Sequence, residues 1–225
     1  LSGLPHLWQS NSVNHFLNQL NNKKKAALLI TRNYPPLVGG MERLMFNLVE
    51  QLRDEYDLSI VAPVGSRSHV TKNHLSYQCR LKPSPLFLIC ATLKTMFACK
   101  KKRFDVCISG SGVTAPVSLV AGKLFHIPTS GFIHGLDLVV ENSIYQHIFL
   151  PAIREADLII ANSKNTAQIA VKKGIPAEKI RVINPGVHTD FTLCPQTDFR
   201  ISNQLENRKV LLYVGRIIRR KGLRE

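Results

Sequence analysis

The chain has 225 residues, 44% of them hydrophobic, and a formal net charge of +15 at pH 7. This length allows about one to one and a half domains, and the apolar content is sufficient for a sizeable core. The charge favours anionic partners such as nucleotides, sugar phosphates, nucleic acids or acidic lipid headgroups. No run of about 18 apolar residues is present, which argues against a membrane-spanning helix.

The five cysteines form an odd set without a C-x-x-C pair or a nearby histidine doublet. We therefore predict neither a disulfide framework nor a zinc site. Reduced thiols in a cytosolic protein, used mostly as small core residues, fit this pattern. Because the N-terminus lacks a basic start followed by an apolar stretch, we expect no signal peptide.

The predicted elements begin after residues 1–25, which we interpret as an appended arm. From Ala26 onward, helical segments separate short apolar runs, which read AALLI, LSIVAP, DVCIS, IPTSGFIH, DLIIANS and IRVINPGV. Unbroken apolar strands between helices are typical of a parallel sheet covered on both faces. We therefore predict a doubly wound α/β domain over residues 26–191, with a mostly parallel, Rossmann-like sheet.

The helix after the first strand has the clearest periodicity. Its apolar residues follow the i, i+3, i+4, i+7 rule, and they are Met41, Leu44, Met45, Leu48, Val49 and Leu52. Further helices are predicted to begin near Thr114 and Ser143. Another begins after Ser163, a good N-cap, and ends at Gly174 after a cationic last turn.

The composition changes again near the end of the chain. Residues 192–208 are polar and contain proline, which is typical of a linker, and Lys209 then begins a new apolar strand. Because an isolated strand cannot bury its faces, we predict that residues 209–225 open a second domain that this chain does not contain. An added edge strand of the first sheet is the alternative.

Ligands of doubly wound sheets bind at the carboxyl ends of strands, so the residues there are candidates for the site. Gly39 and Gly40 precede the first helix, whose N-terminus attracts phosphate, and glycine lets a ligand approach the backbone. A plain tight turn is the alternative. His134 directly follows an apolar strand, and a histidine whose hydrogen bonds are satisfied within the core is the alternative there.

Three other turns follow strands. Asn162 and Ser163 are well explained by helix capping, and Gly186 lies in the NPGV turn. Arg216 and Lys221 lie on a turn after the last strand, where a guanidinium and an ammonium can hold a diphosphate. A solvated run of charges is the alternative for this last pair.

In order, the segments YPPLVGGMER, HGLD, ANS, NPGV and YVGR…KG resemble the N-terminal half of a family 4 glycosyltransferase of the GT-B fold. The resemblance covers about residues 26–222. It implies transfer of a sugar from a nucleotide diphosphate-sugar donor to an acceptor hydroxyl, with retention at the anomeric carbon. It also implies a carbohydrate or lipid-linked acceptor, in cell-envelope polysaccharide, lipopolysaccharide or glycolipid synthesis, and a cytoplasmic protein, peripheral at the inner membrane face.

The resemblance also implies roles for individual residues. The catalytic pair would be His134 and Asp137, and the residues at the donor diphosphate would be Gly39, Gly40, Arg216 and Lys221. Neither a metal nor a cofactor is required, because the nucleotide sugar is a co-substrate. The glutamate pair of the family's donor domain lies beyond this chain, so we expect the chain alone to be inactive. His188 stands where the family often has an acidic residue, which leaves that position without a role.

Residues 85–105 form a mostly apolar stretch that ends in a basic cluster of Lys100, Lys101, Lys102 and Arg103. One interpretation is a helix packed on the sheet, with cations at its C-terminus, where the helix dipole favours them. The alternative is attachment to an anionic membrane surface.

Two further alternatives are a basic nucleic-acid-binding module and a noncatalytic, Rossmann-like partner-binding domain. We predict no nucleic-acid partner, because an RNP-like aromatic strand, a zinc spacing and a helix-turn-helix pattern are all absent from the sequence.

Overall fold

The structure, a computed structural model, describes residues 24–70, 75–80, 84–186, 199–205 and 207–215. The chain divides into two compact units, Leu1–Pro185 and Gly186–Glu225. Most of the predicted N-terminal arm lies outside the described residues. None of the described helices is both long and apolar enough to cross a membrane.

The first unit is organised around a seven-stranded sheet in the order β3-β2-β1-β4-β5-β6-β7. Every neighbouring pair is parallel, and the strands are β1 (Lys25–Ile30), β2 (Tyr56–Pro63), β3 (Leu75–Cys79), β4 (Val106–Ser109), β5 (Thr129–Ile133), β6 (Leu158–Ala161) and β7 (Ile180–Val182). This confirms the predicted doubly wound α/β fold. Each of the six apolar runs contributes a strand, whereas β3 was not predicted.

The described helices are α1 (Gly40–Leu52), α2 (Ser84–Lys101), α3 (Ala115–Phe125), α4 (Gly135–Val139), α5 (Leu150–Glu155), α6 (Lys164–Lys172) and α7 (Phe199–Ser202). A π-helical turn, Tyr145–Phe149, leads into α5, and short 3₁₀ helices lie at Ser66–His69, Gly112–Thr114 and Ala177–Lys179. The helices predicted near Thr114 and Ser143 are thus present. Ser163 caps α6 as predicted, because its hydroxyl accepts a hydrogen bond from the Thr166 N–H at 3.1 Å.

The core lies on both faces of the sheet, as the unbroken apolar strands require. Alternate residues of β1 belong to different buried clusters: Leu28 and Ile30 pack with residues of α2 and α3, whereas Leu29 packs with Met45 and Val49 of α1. A third cluster lies around β6, α5 and α6. The central strands therefore hold their carboxyl-end turns on a rigid, fully buried support.

Three cysteines confirm the prediction that most thiols are core residues. Cys79, Cys99 and Cys107 are buried in the cluster between the sheet, α2 and α3, and they are free thiols. Cys90 is half-buried and lies at the edge of the same cluster.

The strand predicted from Lys209 is not formed in the second unit. Residues 209–215 are irregular, and the side chains of Leu211 and Leu212 are exposed. A strand needs neighbours for its backbone N–H and C=O groups, and the described part of this unit contains no other strand. The assignment of this segment to a second domain stays a prediction.

Candidate active site

The strand order reverses between β1 and β4, and this reversal fixes the place of the candidate site. From β1 the chain proceeds to β2 and β3 on one side, and from β4 it proceeds to β5, β6 and β7 on the other. Open parallel sheets bind ligands in the crevice outside the carboxyl ends of the strands at such a point. The turn that follows β1 contains Gly39 and Gly40, and the turn that follows β4 contains Gly110 and Gly112.

Polar side chains fix the turn between β1 and α1. The Thr31 hydroxyl accepts a hydrogen bond from the Asn33 N–H at 3.0 Å, and the Asn33 amide donates to the buried Glu42 carboxylate at 2.9 Å. A Cβ added to Gly40 would meet no atom within 4 Å. The N-terminus of α1 therefore faces open space, and no side chain caps it.

The turn between β4 and α3 was missed by the sequence analysis, although its S-G-S-G sequence follows an apolar strand as Gly39 and Gly40 do. A Cβ on Gly110 would lie 2.6 Å from the Thr31 hydroxyl oxygen and 2.8 Å from the Met45 sulfur. A Cβ on Gly112 would lie 3.0 Å from the Asp137 Cβ. Both glycines are thus required for the close packing of this turn against its neighbours.

His134 lies directly after β5, one strand away from the reversal point and at the same edge of the sheet as Gly40. Its side chain is buried, with 8% of the residue exposed, and its Nε2 atom has no hydrogen-bond partner among the described residues. The hydroxyl of Ser111, in the turn after β4, is also buried without a partner. Buried polar atoms are nearly always hydrogen-bonded. Four further hydroxyls are also buried without a partner in the described residues, those of Ser59, Thr95, Ser130 and Tyr145. His134 and Ser111 differ from them in lying in turns directly after strands, which makes these two candidates for contacts with a ligand.

Asp137 connects the turn after β5 to the turn after β4. Its carboxylate accepts hydrogen bonds from the N–H of His134 at 2.9 Å and from the N–H of Gly112 at 3.2 Å. Burial, followed by the negative charge of Asp137, raises the pKa of Tyr145. The contacts of Asp137 are those of a positioning residue, and its catalytic role stays a prediction.

Ser163 caps α6, and Asn162 contacts a side chain of the same turn. The Thr166 hydroxyl donates a hydrogen bond to the Asn162 side-chain oxygen at 2.8 Å, while its N–H donates to Ser163. Gly135 lies beside this cap, since a Cβ there would be 3.7 Å from the Thr166 hydroxyl oxygen. These contacts give the pair a structural role that supports the neighbouring turn.

The remaining predicted residues belong to the second unit or fall outside the described residues. Gly186 belongs to the second unit, where a Cβ would meet no atom within 4 Å. Arg216 and Lys221 lie outside the described residues. The structure adds Arg32, the second residue after β1, which is half-buried and has no hydrogen bond or ion pair from its side chain within the described part of the chain. A basic residue in the turn after the first apolar strand was the available signal for it.

The fold defines a Rossmann-like domain, and these turns form a candidate ligand site at its strand ends. The family model for Glycosyltransferase Family 4 matches residues 38–191, which is most of the chain. The chain therefore belongs to glycosyltransferase family 4. A search of curated proteins found no match.

Several solved structures share the fold. HepE from Anabaena, solved in complex with UDP-glucose, is 18% identical with a TM-score of 0.56, and the match covers 72% of this chain and 44% of HepE. Sucrose-phosphate synthase from Thermosynechococcus elongatus is 17% identical with a TM-score of 0.64, over 88% of this chain and 57% of that enzyme. UDP-N-acetylglucosamine 2-epimerase from Rickettsia bellii is 12% identical with a TM-score of 0.55, over 72% and 45%.

The chain thus spans about half the length of these structures. At these identities the likeness establishes only the fold, which is of the GT-B type. This is the fold that the resemblance in the sequence implied. Neither the nucleic-acid-binding interpretation nor the noncatalytic one gains support from these comparisons.

Proposed function

We propose that this chain is the acceptor-side half of a retaining glycosyltransferase that moves a sugar from a nucleotide diphosphate-sugar to an acceptor hydroxyl. The observation that carries the proposal is the buried, unpartnered Nε2 of His134 at the ligand-binding edge of a family 4 sheet. We propose that this nitrogen forms a hydrogen bond with a hydroxyl of the transferring sugar. The UDP-glucose bound to HepE supports a nucleotide sugar as the donor class.

The electrostatic demands of the reaction support the same assignment. Breaking the glycosidic bond builds negative charge on the departing diphosphate and positive charge on the sugar ring. Preorganised N–H groups and cations at the leaving group lower this barrier. From this half of the enzyme, the uncapped N-terminus of α1 supplies N–H groups and the unpaired Arg32 supplies a cation. The open space at Gly40 lets the diphosphate approach them. Arg216 and Lys221 are proposed to supply the others.

The finer parts of the proposal concern the setting of the reaction. We propose a cytoplasmic enzyme that builds cell-envelope polysaccharide, lipopolysaccharide or glycolipid on a carbohydrate or lipid-linked acceptor. That transfer needs neither metal nor cofactor stays a prediction, and activity that survives EDTA in the whole protein is the expected result. The anomeric configuration of the product, read by NMR, tests retention, and an inverted product would contradict it.

The decisive experiment compares His134→Ala with His126→Asn in the whole protein that contains this chain. His126 is exposed and lies at the C-terminal end of α3 with φ 55°, a conformation that asparagine also adopts. Loss of one preorganised hydrogen bond to the reacting sugar should lower kcat by roughly 10²–10³-fold. His126→Asn should retain the full rate of sugar transfer from a panel of nucleotide sugars.

Equal activity of both variants would overturn the site assignment. A donor that is epimerised without any acceptor would instead favour the reaction named for the Rickettsia bellii structure. Thermal unfolding of both variants separates a catalytic loss from a folding defect, because a folded but inactive His134→Ala protein supports the proposal.

A further inference from the structure

The helix α2 carries large apolar residues on two faces, but the structure covers only one of them. Its inner face buries Phe87, Ala91 and Ala98 against the sheet, as the packed-helix interpretation predicts. Its outer face carries four large apolar residues at helical spacing, each between 51% and 66% exposed: Leu86, Ile89, Leu93 and Phe97. A contiguous stripe of large apolar side chains is normally covered, so this outer stripe indicates a missing partner.

Cations border the stripe at its C-terminal end. Lys100, Lys101 and Arg103 are exposed, and the Lys101 ammonium lies 4.7 Å from the centroid of the Phe97 ring. Lys102 differs from them, because it forms an ion pair with Asp57 at 2.5 Å and only 27% of its side chain is exposed. Three of the four predicted membrane-contact residues are therefore available to an outside partner.

Charge decides what kind of partner fits. Residues 84–103 contain no aspartate or glutamate, so the stripe is bordered by positive charge alone. A second copy of this chain would bring the same cations and a net charge of +15 against them, which is repulsive. An anionic bilayer receives leucine, isoleucine and phenylalanine at the acyl boundary and places ammonium groups among its headgroups.

We propose that the outer face of α2 docks on an anionic lipid surface, with Leu93 and Phe97 inserted and Lys100, Lys101 and Arg103 at the headgroups. This surface is separate from the candidate active site. Lys102 pairs with Asp57 near the start of β2, so the cations lie toward the amino ends of the strands, whereas His134 and Gly40 lie at the carboxyl ends. The inference goes beyond sugar transfer and can fail while the proposed reaction stands.

Co-sedimentation of the full chain with vesicles tests the proposal at low salt. We expect binding to vesicles that contain phosphatidylglycerol and little binding to pure phosphatidylcholine. Each surface cation contributes roughly fivefold to such binding, so the double variant Lys100→Gln/Lys101→Gln should bind about 25-fold more weakly. Lys164→Gln/Lys172→Gln removes the same charge from exposed positions of α6 and should change binding less than twofold.

The apolar part of the surface needs its own variant. Leu93→Gln should weaken vesicle binding at least tenfold and leave the thermal unfolding of the protein unchanged, because Leu93 is exposed. Equal losses for the two lysine pairs would overturn the proposal, since they would reveal unspecific attraction by net charge. A concentration-dependent dimer that Leu93→Gln dissociates would replace the lipid by a second copy. Vesicle binding that appears only after deletion of residues 1–23 would assign the stripe to that segment.

Discussion

The carboxylate of Asp137 accepts a hydrogen bond from the backbone N–H of Gly112 at 3.2 Å, although the two residues lie in turns after different strands. The same carboxylate oxygen accepts the N–H of His134. Asp137 therefore fixes the distance between the turns after β4 and β5, and with it the place of the unpartnered imidazole nitrogen. This bridge explains why these turns can act as one site.

The Asp137 bridge predicts a coupled loss of stability and activity in Asp137→Asn. Hydrogen bonds to charged groups contribute about 1.5–3 kcal/mol each, and the neutral amide should retain only part of this. Urea denaturation should therefore show a loss of about 1–3 kcal/mol, together with lower kcat in the whole enzyme.

Asp105→Asn is the matched control for this variant. Asp105 accepts the Ala26 N–H at 2.7 Å at the opposite edge of the sheet, so its loss should cost similar stability. Activity should nevertheless be retained at temperatures where the protein is folded. A proportional loss of activity in both variants would show that Asp137 matters only through stability.

Two glycine substitutions separate packing from ligand approach. Gly40→Ala places a methyl group in open space, so the free energy of unfolding should change by less than about 0.5 kcal/mol. If phosphate and sugar approach the backbone there, kcat/KM should fall at least tenfold. Gly112→Ala should instead destabilise the protein by about 1–3 kcal/mol, because its Cβ overlaps neighbouring side chains. An active Gly40→Ala enzyme would place the ligand elsewhere.

Substitution of Arg32 tests whether a cation of this domain stabilises the departing diphosphate. Its guanidinium has no side-chain partner in the described residues, so Arg32→Gln should leave thermal unfolding nearly unchanged. Loss of a preorganised cation at the diphosphate should lower kcat/KM by roughly 10–100-fold. Arg103→Gln removes an equal charge near the amino ends of the strands and should leave transfer to a soluble acceptor intact.

The strands that could be predicted from the sequence are those buried on both faces of the sheet. The run AALLI indicated β1 because every one of its residues is buried, on alternating faces. The missed strand β3 lies at the edge of the sheet, where only Cys79 is fully buried, so its sequence carries no continuous apolar signal. In helix α2 the apolar signal is present on two faces, so the sequence does not indicate which of them the sheet covers.

The site was predictable residue by residue but not as an arrangement. Gly40 and His134 were found because each follows a strand. Their shared edge follows from the parallel strands, but their proximity follows from the strand order β1-β4-β5, which brings the turn at Gly110 between them. Local patterns do not encode that order, and the bridge from Asp137 to Gly112 joins residues that are distant in sequence. Arg32 carried no pattern beyond its position, so it became a candidate only when its side chain proved unpaired.

Thiol chemistry provides a prediction about pH. Burial raises the pKa of Cys99 to about 11, and burial together with a hydrogen bond to the Cys90 thiol raises the pKa of Cys79 to about 12. An unfolded thiol ionises near about pH 8.5, so the folded chain holds protons that the unfolded chain releases. This contribution to stability is complete below that pH and falls as the pH rises toward 11. Urea unfolding between pH 7.5 and 10.5 should show this decline, and Cys99→Ala should make it shallower.

Iodoacetamide at pH 8.5 should label Cys79 and Cys99 at least 100-fold more slowly in the folded chain than in urea, since they are buried and protonated. Equal labelling rates in both states would mean that these thiols lie outside the core.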